Sequence, residues 1–345
     1  MTALLNRLVF GNRHGIFIPH RLKNARLCMI PKNDSTAEER PLLLNSRLLA
    51  LLDRLVNRIL MKLMDNDETL DNRHAFRDGR GVEDAIAEIV NFVETGKNQK
   101  KKVAICQTDM SNAFNGTNHK LIILRTYELL QKNKQQLDNE CSWVILYLKD
   151  WLHRYVYFES TSFPLLNGVP QGSPLRPSIF SLVFAWNYSA DGLVVVYYAD
   201  DVSILIMAED WKEVAAILNA ALRDCNSWCE VNDFQINIGK SKYLLFSATN
   251  VNDFEIDDEY KEIEQVPVPC ILGVRFDTKF NFNWHLQSVE QYMRRRVAAL
   301  RKLRQLGLAE KCLKAICLCL RSKITFGLWH LMTISKTNWD RLERI

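Results

Sequence analysis

At 345 residues, 48% hydrophobic and 25% charged, the chain can bury a large core in two or three subdomains and is too apolar to be disordered. Its 45 Lys and Arg against 40 Asp and Glu leave a net charge of +5, which permits nucleic-acid binding without arguing for it. No apolar run reaches the length of a membrane span, no secretory leader opens the chain, and the nine cysteines follow no disulfide spacing, so reduced thiols in an intracellular, non-secreted protein are expected.

Residues 1–24 show no clear pattern. Residues 25–32 read as a strand ending at Pro31-Lys32, and the polar loop Asn33–Glu39 leads into Arg40-Pro41. Leu48–Met64 has helical apolar spacing, with Leu52, Leu55, Val56, Ile59 and Leu63 among the repeats. Gly79-Arg80-Gly81 makes a turn before a helix over Val82–Glu94. The basic connection Lys97–Lys102 then enters a strand, Val103–Cys106, that runs out at Asp109. A long helical stretch is expected over 119–155, followed by the loop Gly168-Val-Pro-Gln171-Gly-Ser-Pro174 and a helix over Ser178–Tyr188.

Two apolar runs, Leu193–Tyr197 and Val202–Met207, flank Tyr198-Ala199-Asp200-Asp201, which predicts a β-hairpin with two carboxylates at its tip. An amphipathic helix over Asp210–Cys229 follows. Strands are expected at Phe234–Ile238 and Tyr243–Ser247, around Gly239-Lys240, and at Cys270–Phe276. From Trp284 onward the pattern is helical and basic. Cys312, Cys317 and Cys319 lie in Cys-Leu-Lys-Ala-Ile-Cys-Leu-Cys-Leu, which reads as a buried apolar stripe rather than as a zinc set completed by His330.

Asp109 alone could cap a helix, and Asp200-Asp201 alone could be turn residues. Adjacent carboxylates at a hairpin tip repel each other, however, and a plain turn gains nothing from the pair. Three acidic oxygen donors at strand ends can hold two hard divalent cations, which clamp the attacking and leaving oxygens of a phosphoryl transfer. Gln171, between Pro170 and Gly172, offers a side-chain amide to a nucleotide or template, and the glycines permit close approach of nucleic acid. Phe114, five residues after Asp109, reads either as a core aromatic or as a wall under a sugar that excludes a 2′-hydroxyl. Lys32 and Arg40 are either solvated charges or a pair gripping a triphosphate, Arg being suited to bidentate contact. Lys240 is either a surface lysine or a proton donor to leaving pyrophosphate. Met293, Val297, Leu300 and Leu303 share one helical face, leaving Arg294, Arg295, Arg301 and Arg304 beside solvent, dense enough for contact with a phosphate backbone.

In this order and spacing the motifs resemble the reverse transcriptases of non-LTR (LINE-type) retrotransposons, nearest the jockey-like group. Asp109-Met-Ser-Asn-Ala-Phe114, Gly168-Val-Pro-Gln-Gly-Ser-Pro-Leu175 with Phe180, and Tyr198-Ala-Asp-Asp201 are similar to that family's three principal motifs. Asn237-Ile-Gly-Lys240-Ser-Lys242 and Ile271-Leu-Gly273-Val with Asp277 match the next two; Ile30-Pro-Lys32, Arg40-Pro41 and His74-Ala-Phe-Arg77 match its finger motifs. The resemblance implies an α+β right-hand polymerase: an N-terminal extension and fingers over 1–95, an antiparallel palm sheet backed by helices over 96–277, and a helical thumb over 278–345 that begins a truncated C-terminal region. It implies Mg²⁺ (two ions, with Mn²⁺ as a possible substitute) on Asp109, Asp200, Asp201 and the carbonyl of Met110. It implies a sugar gate at Phe114, nucleotide contacts from Lys32, Arg40 and Gln171, and a primer grip at Leu272-Gly273. The partners implied are an RNA template, a DNA primer and dNTPs, with no membrane, an endonuclease outside this chain, and residence in the nucleus or a cytoplasmic ribonucleoprotein. Arg176 departs from the family, which usually has Gly there, and a bulky cation could strain the loop or contact nucleic acid. A group II intron-type reverse transcriptase shares Tyr-Ala-Asp-Asp, but Ser173-Pro-Leu175 and Phe180 favour the non-LTR type. A remnant that only binds nucleic acid is the rival from outside enzymology, and the intact acidic triad argues against it.

Overall fold

The computed structural model describes residues 18–31, 39–67, 70–111, 116–133, 142–247, 251–326 and 340. The chain runs through α1 (His20–Lys23), β1 (Ala25–Pro31), β2 (Glu39–Leu44), α2 (Arg47–Asp65) and α3 (Val82–Asn98) to β3 (Lys102–Met110). Next come α4 (His119–Lys132), α5 (Ser142–Leu152), β4 (Tyr155–Phe158), β5 (Thr161–Pro164) and α6 (Arg176–Val183). The hairpin strands β6 (Leu193–Tyr198) and β7 (Asp201–Ala208) lead to α7 (Trp211–Val231), β8 (Ile236–Leu245) and β9 (Glu264–Gln265). A small hairpin, β10 (Cys270–Ile271) with β11 (Val274–Arg275), precedes α8 (Asn283–Gln305) and α9 (Glu310–Thr325). Contacts divide the chain into two compact units: Met1–Gly79 with Met110–Asn187 and Cys225–Ile236, and Arg80–Asp109 with Tyr188–Asp224 and Asn237–Ile345.

The first unit holds a four-stranded sheet in the order β2-β1-β4-β5. β1 and β2 pair antiparallel from Arg26↔Leu44 to Pro31↔Glu39, while β4 joins the other edge of β1 in parallel. The apolar repeat of α2 buries Leu49, Leu52, Val56, Leu60 and Leu63, and Asp53 is buried with them. Among the described residues, the helical stretch expected over 119–155 holds two helices and the start of a strand. Asn118 caps α4, its side-chain oxygen accepting the Lys120 N–H at 2.8 Å. The helix expected over Ser178–Tyr188 starts earlier and ends at Val183. Phe184 leaves helical geometry there and lies edge-on to Trp228 and Phe234.

The second unit holds a five-stranded sheet in the order β6-β7-β3-β8-β9, with β3, β7 and β6 antiparallel. Val103–Cys106 of β3 and Val202–Ile206 of β7 are buried without interruption, which is why they read as apolar runs rather than alternating strands. The core beneath them gathers Ile86, Ile89 and Val93 of α3 with Phe276, Phe280 and Phe282. The two strands expected around Gly239-Lys240 are one, β8, whose exposed middle includes Gly239's successor Lys240. The strand expected over Cys270–Phe276 is the β10–β11 hairpin. Leu272 (φ 49°) and Gly273 (φ 85°) are both left-handed, the geometry of a two-residue turn matched to strand twist.

On α9 the expectation of a buried cysteine stripe is overturned: Cys312, Cys317 and Cys319 are exposed. Leu313, Ile316 and Leu320 form the half-buried side instead, and the cysteines fall off that stripe. His330 lies outside the described residues. Among the described residues no helix is long and apolar enough to cross a membrane.

Candidate active site

Two neighbouring strands of the second unit deliver the acids. Tyr198 pairs with Asp201, so Ala199-Asp200 is a two-residue turn. Ala199 takes φ 56°, in a hairpin position where glycine is usual. A left-handed non-glycine residue costs about 1–2 kcal/mol, held here by the strands on either side. The last β3–β7 pair, Thr108↔Val202, brings Asp109 opposite Asp201 one step further on.

The electrostatics record that approach. Burial, then the charges of Asp200 and Asp109, push the Asp201 carboxyl up to about 6. Three acids on adjacent strand ends repel one another, and a cation is the ordinary relief for that repulsion. Lys240 brings its ammonium within 3.9 Å of Asp109 Oδ2, although its side chain is 68% exposed and so a weak counter-ion. The backbone of Asp109 is fixed from β8: its N–H donates to Ser241 Oγ at 3.2 Å, and the Ser241 hydroxyl donates to Asn237 O at 2.8 Å. Ser241 is buried, and the sequence reading gave it no role although it lies inside the Asn237–Lys242 motif. Met110 follows Asp109 and ends the strand, with its side chain buried.

Among the described residues no three His, Cys, Asp or Glu side chains close on a common point. An all-oxygen, carboxylate-rich strand edge nonetheless suits Mg²⁺. That ion keeps several waters and is held by one or two carboxylates together with substrate phosphates, rather than by a closed protein cage.

The Gln171 loop belongs to the first unit. Leu43 of β2 donates its N–H to Gln171 O at 2.8 Å, and Gly168 donates to Thr117 O at 2.8 Å. Gly172 has φ 106°, and a Cβ there would lie 2.6 Å from Leu43 O. The chain's own crossing against β2 therefore requires this glycine, a reason the sequence reading had assigned to nucleic acid. Arg176 opens α6 without positive φ, so the strain expected from replacing glycine is absent. Of the remaining candidates, Lys32 and Phe114 lie outside the described residues, and Arg40 pairs through its backbone with Ile30. Leu272-Gly273 forms the β10–β11 turn. Arg294, Arg295, Arg301 and Arg304 are all exposed on α8, Arg294 being held by Glu290 at 2.7 Å.

Residues 30–293 match the family model described as reverse transcriptase (RNA-dependent DNA polymerase). The chain is 22% identical over 304 residues to the RNA-directed DNA polymerase from mobile element jockey of Drosophila melanogaster, covering 82% of this chain and 32% of that protein. It is 24% identical over 347 residues to the probable RNA-directed DNA polymerase from transposon BS of the same species, covering 95% of this chain and 38% of that one. The chain thus spans about a third of the length of these relatives. Among solved structures, telomerase from Candida albicans in complex with a TWJ fragment of telomeric RNA aligns with a TM-score of 0.53 at 13% identity, over 95% of this chain and 57% of that one. Apo telomerase from Candida tropicalis aligns with a TM-score of 0.55 at 10% identity, over 80% and 51%. At such identities the likeness is one of fold, an α+β polymerase fold.

Proposed function

The chain belongs to the reverse transcriptase family, and from that premise we propose that it is the RNA-directed DNA polymerase of a non-LTR retrotransposon, adding dNTPs to a primer 3′-hydroxyl on an RNA template. The observation that carries this reading is the meeting of β3 with the β6–β7 hairpin. There Asp109 faces Asp201, and burial, then the charges of Asp200 and Asp109, raises the Asp201 carboxyl. Asp109, Asp200, Asp201 and the Met110 carbonyl are the residues that would hold two Mg²⁺. When bound, these ions supply charge neutralisation on the attacking and leaving oxygens of an in-line displacement. Ser241 accepts the Asp109 N–H, and the left-handed turn at Ala199 carries Asp200 and Asp201 at the hairpin tip. Gln171, Lys32 and Arg40 would position the nucleotide, Phe114 would meet its sugar, and Leu272-Gly273 would meet the primer. Arg295, Arg301 and Arg304 would grip the nucleic-acid backbone, and Lys240 would pass a proton to pyrophosphate. Positioning and electrostatics then supply most of the rate. Intracellular residence and an endonuclease outside this chain complete the proposal.

Primer extension on an RNA template with Mg²⁺, supplied with either dNTPs or rNTPs, tests the reading. Extension with dNTPs alone, lowered at least about 10²-fold by Asp200→Asn with template binding retained, is the expected result. Normal extension by Asp200→Asn would overturn the metal assignment, and preference for rNTPs would overturn the substrate.

A further inference from the structure

A carboxylate sits where the apolar repeat of α2 calls for a hydrophobe. Asp53 falls between Leu52 and Val56 on the inward face and is 0% exposed. Tyr147 of α5 donates its hydroxyl to Asp53 Oδ1 at 2.7 Å, and Ser173 donates its hydroxyl to Asp53 Oδ2, also at 2.7 Å. Burial raises the Asp53 carboxyl above its ordinary value, opposed by those two hydrogen bonds and by the charge of Arg154. Arg154 is itself buried, its Nε donating to Trp151 O at 2.8 Å and its Nη1 to Asn45 Oδ1 at 3.0 Å.

Stability does not account for this arrangement. Replacing buried charges by well-packed apolar residues is commonly neutral or stabilising. What the carboxylate does provide is direction, since two charge-assisted hydrogen bonds fix the hydroxyls that make them. Ser173 lies two residues after Gln171, and its oxygen also accepts the Leu175 N–H at 3.1 Å. The loop is tied in its middle where Leu43 N–H meets Gln171 O, and at its start where His119 Nε2 lies 3.0 Å from Gly168 O. Three ties to α2, β2 and α4 over six residues, 168–173, leave the Gln171 backbone little freedom.

We propose that Asp53, acting through Ser173, is a positioning residue that fixes the Gln171 loop for nucleotide selection. This rests on the reading of Gln171 as a nucleotide contact. Asp53 touches no substrate; its influence passes along Asp53–Ser173–Gln171. Gln171 in turn is held on the sheet edge by Leu43.

The test compares Asp53→Asn, Ser173→Ala and Gln171→Ala in the full chain. Amide hydrogen exchange at Leu43 and Leu175 reads the brace without requiring catalysis. It is expected to accelerate at least about tenfold in Asp53→Asn and Ser173→Ala. In primer extension the same two variants should raise the dNTP KM roughly tenfold while kcat and template affinity stay near wild type, because small misplacements of a positioned group are costly. In a Gln171→Ala background, Asp53→Asn should raise KM no further. A lowered melting temperature with unchanged exchange at Leu43 and Leu175 would show a merely structural acid and overturn the brace. Faster exchange with an unchanged KM would overturn the link to nucleotide selection. An unchanged KM in Gln171→Ala would overturn the reading of Gln171 itself, and the exchange result would still decide whether Asp53 braces the loop.

Discussion

Asp201→Asn should make the metal-free protein more stable at neutral pH while removing its activity. Asp201 is half-buried, and its carboxyl titrates near 6 instead of 3.8, so the folded chain holds the charged form under protest. A rise of about two pH units, at about 1.4 kcal/mol each, sets a ceiling of about 3 kcal/mol. Solvent reaching the half-buried group reduces that to about 1–2 kcal/mol. The raised value fixes the sign. Above pH 6 both folded and unfolded chains carry the charge, and only the folded one bears the cost of burying it beside Asp200 and Asp109. As pH falls through 6 toward 4 the folded carboxyl protonates first, and the handicap disappears. Urea denaturation of wild type and Asp201→Asn in EDTA, at pH 8 and again at pH 4.5, reads the difference directly. A gain of about 1–2 kcal/mol at pH 8 that has mostly vanished at pH 4.5 is expected. Adding Mg²⁺ should then stabilise wild type more than the variant, since a ligand that binds only the folded state raises its stability. Equal stability of the two proteins at pH 8, or a gain that persists undiminished at pH 4.5, would refute the claim that burial and the neighbouring acids penalise the charged Asp201.

His285 should act in the same pH window with the opposite sign. It is buried, accepts the Arg275 N–H at 3.3 Å and is pushed down to about 4 by burial, with Lys323 and Arg275 adding to the effect. The unfolded chain therefore takes up a proton below about 6.5 that the folded chain refuses. His285→Gln should flatten a loss of no more than about 3 kcal/mol between pH 6.5 and 4, and an unchanged pH profile would count against it. Gly192 has φ 72°, and a Cβ would fall 2.2 Å from Met207 O on β7. Gly192→Ala should cost about 2–5 kcal/mol in denaturant, combining left-handed strain and overpacking, and a loss below 1 kcal/mol would contradict the hairpin geometry. On α8, Arg301→Ala and Arg304→Ala should each lower the slope of log affinity for template-primer against log salt by up to about 1. Arg294→Ala should change it less, because Glu290 already holds that guanidinium. Slopes unchanged from wild type in all three variants would remove α8 from the interface.

Much of this protein was legible in one dimension. The apolar runs on either side of Tyr198–Asp201, the helical repeat of Leu48–Met64 and the long amphipathic Asp210–Cys229 segment all became the expected elements, with ends shifted by a few residues. Hydrophobic periodicity and turn chemistry are local properties, and they hold wherever one face of an element is buried. That acids follow the strand ends at Asp109 and at Asp200-Asp201 was legible for the same reason, since it can be seen without knowing which strands meet.

Tertiary structure decided which groups act on one another. The register of β3 against β7 sets Asp109 opposite Asp201, and burial, then the charges of Asp200 and Asp109, lifts that carboxyl to about 6. Cysteines in an apolar helix look buried until the packing stripe is known, and on α9 it runs through Leu313, Ile316 and Leu320 instead. Asp53 stands 120 residues from the serine it holds. Its one mark in the sequence is a charge on an apolar helical face, and the meaning of that charge came from partners that only chain folding could bring to it.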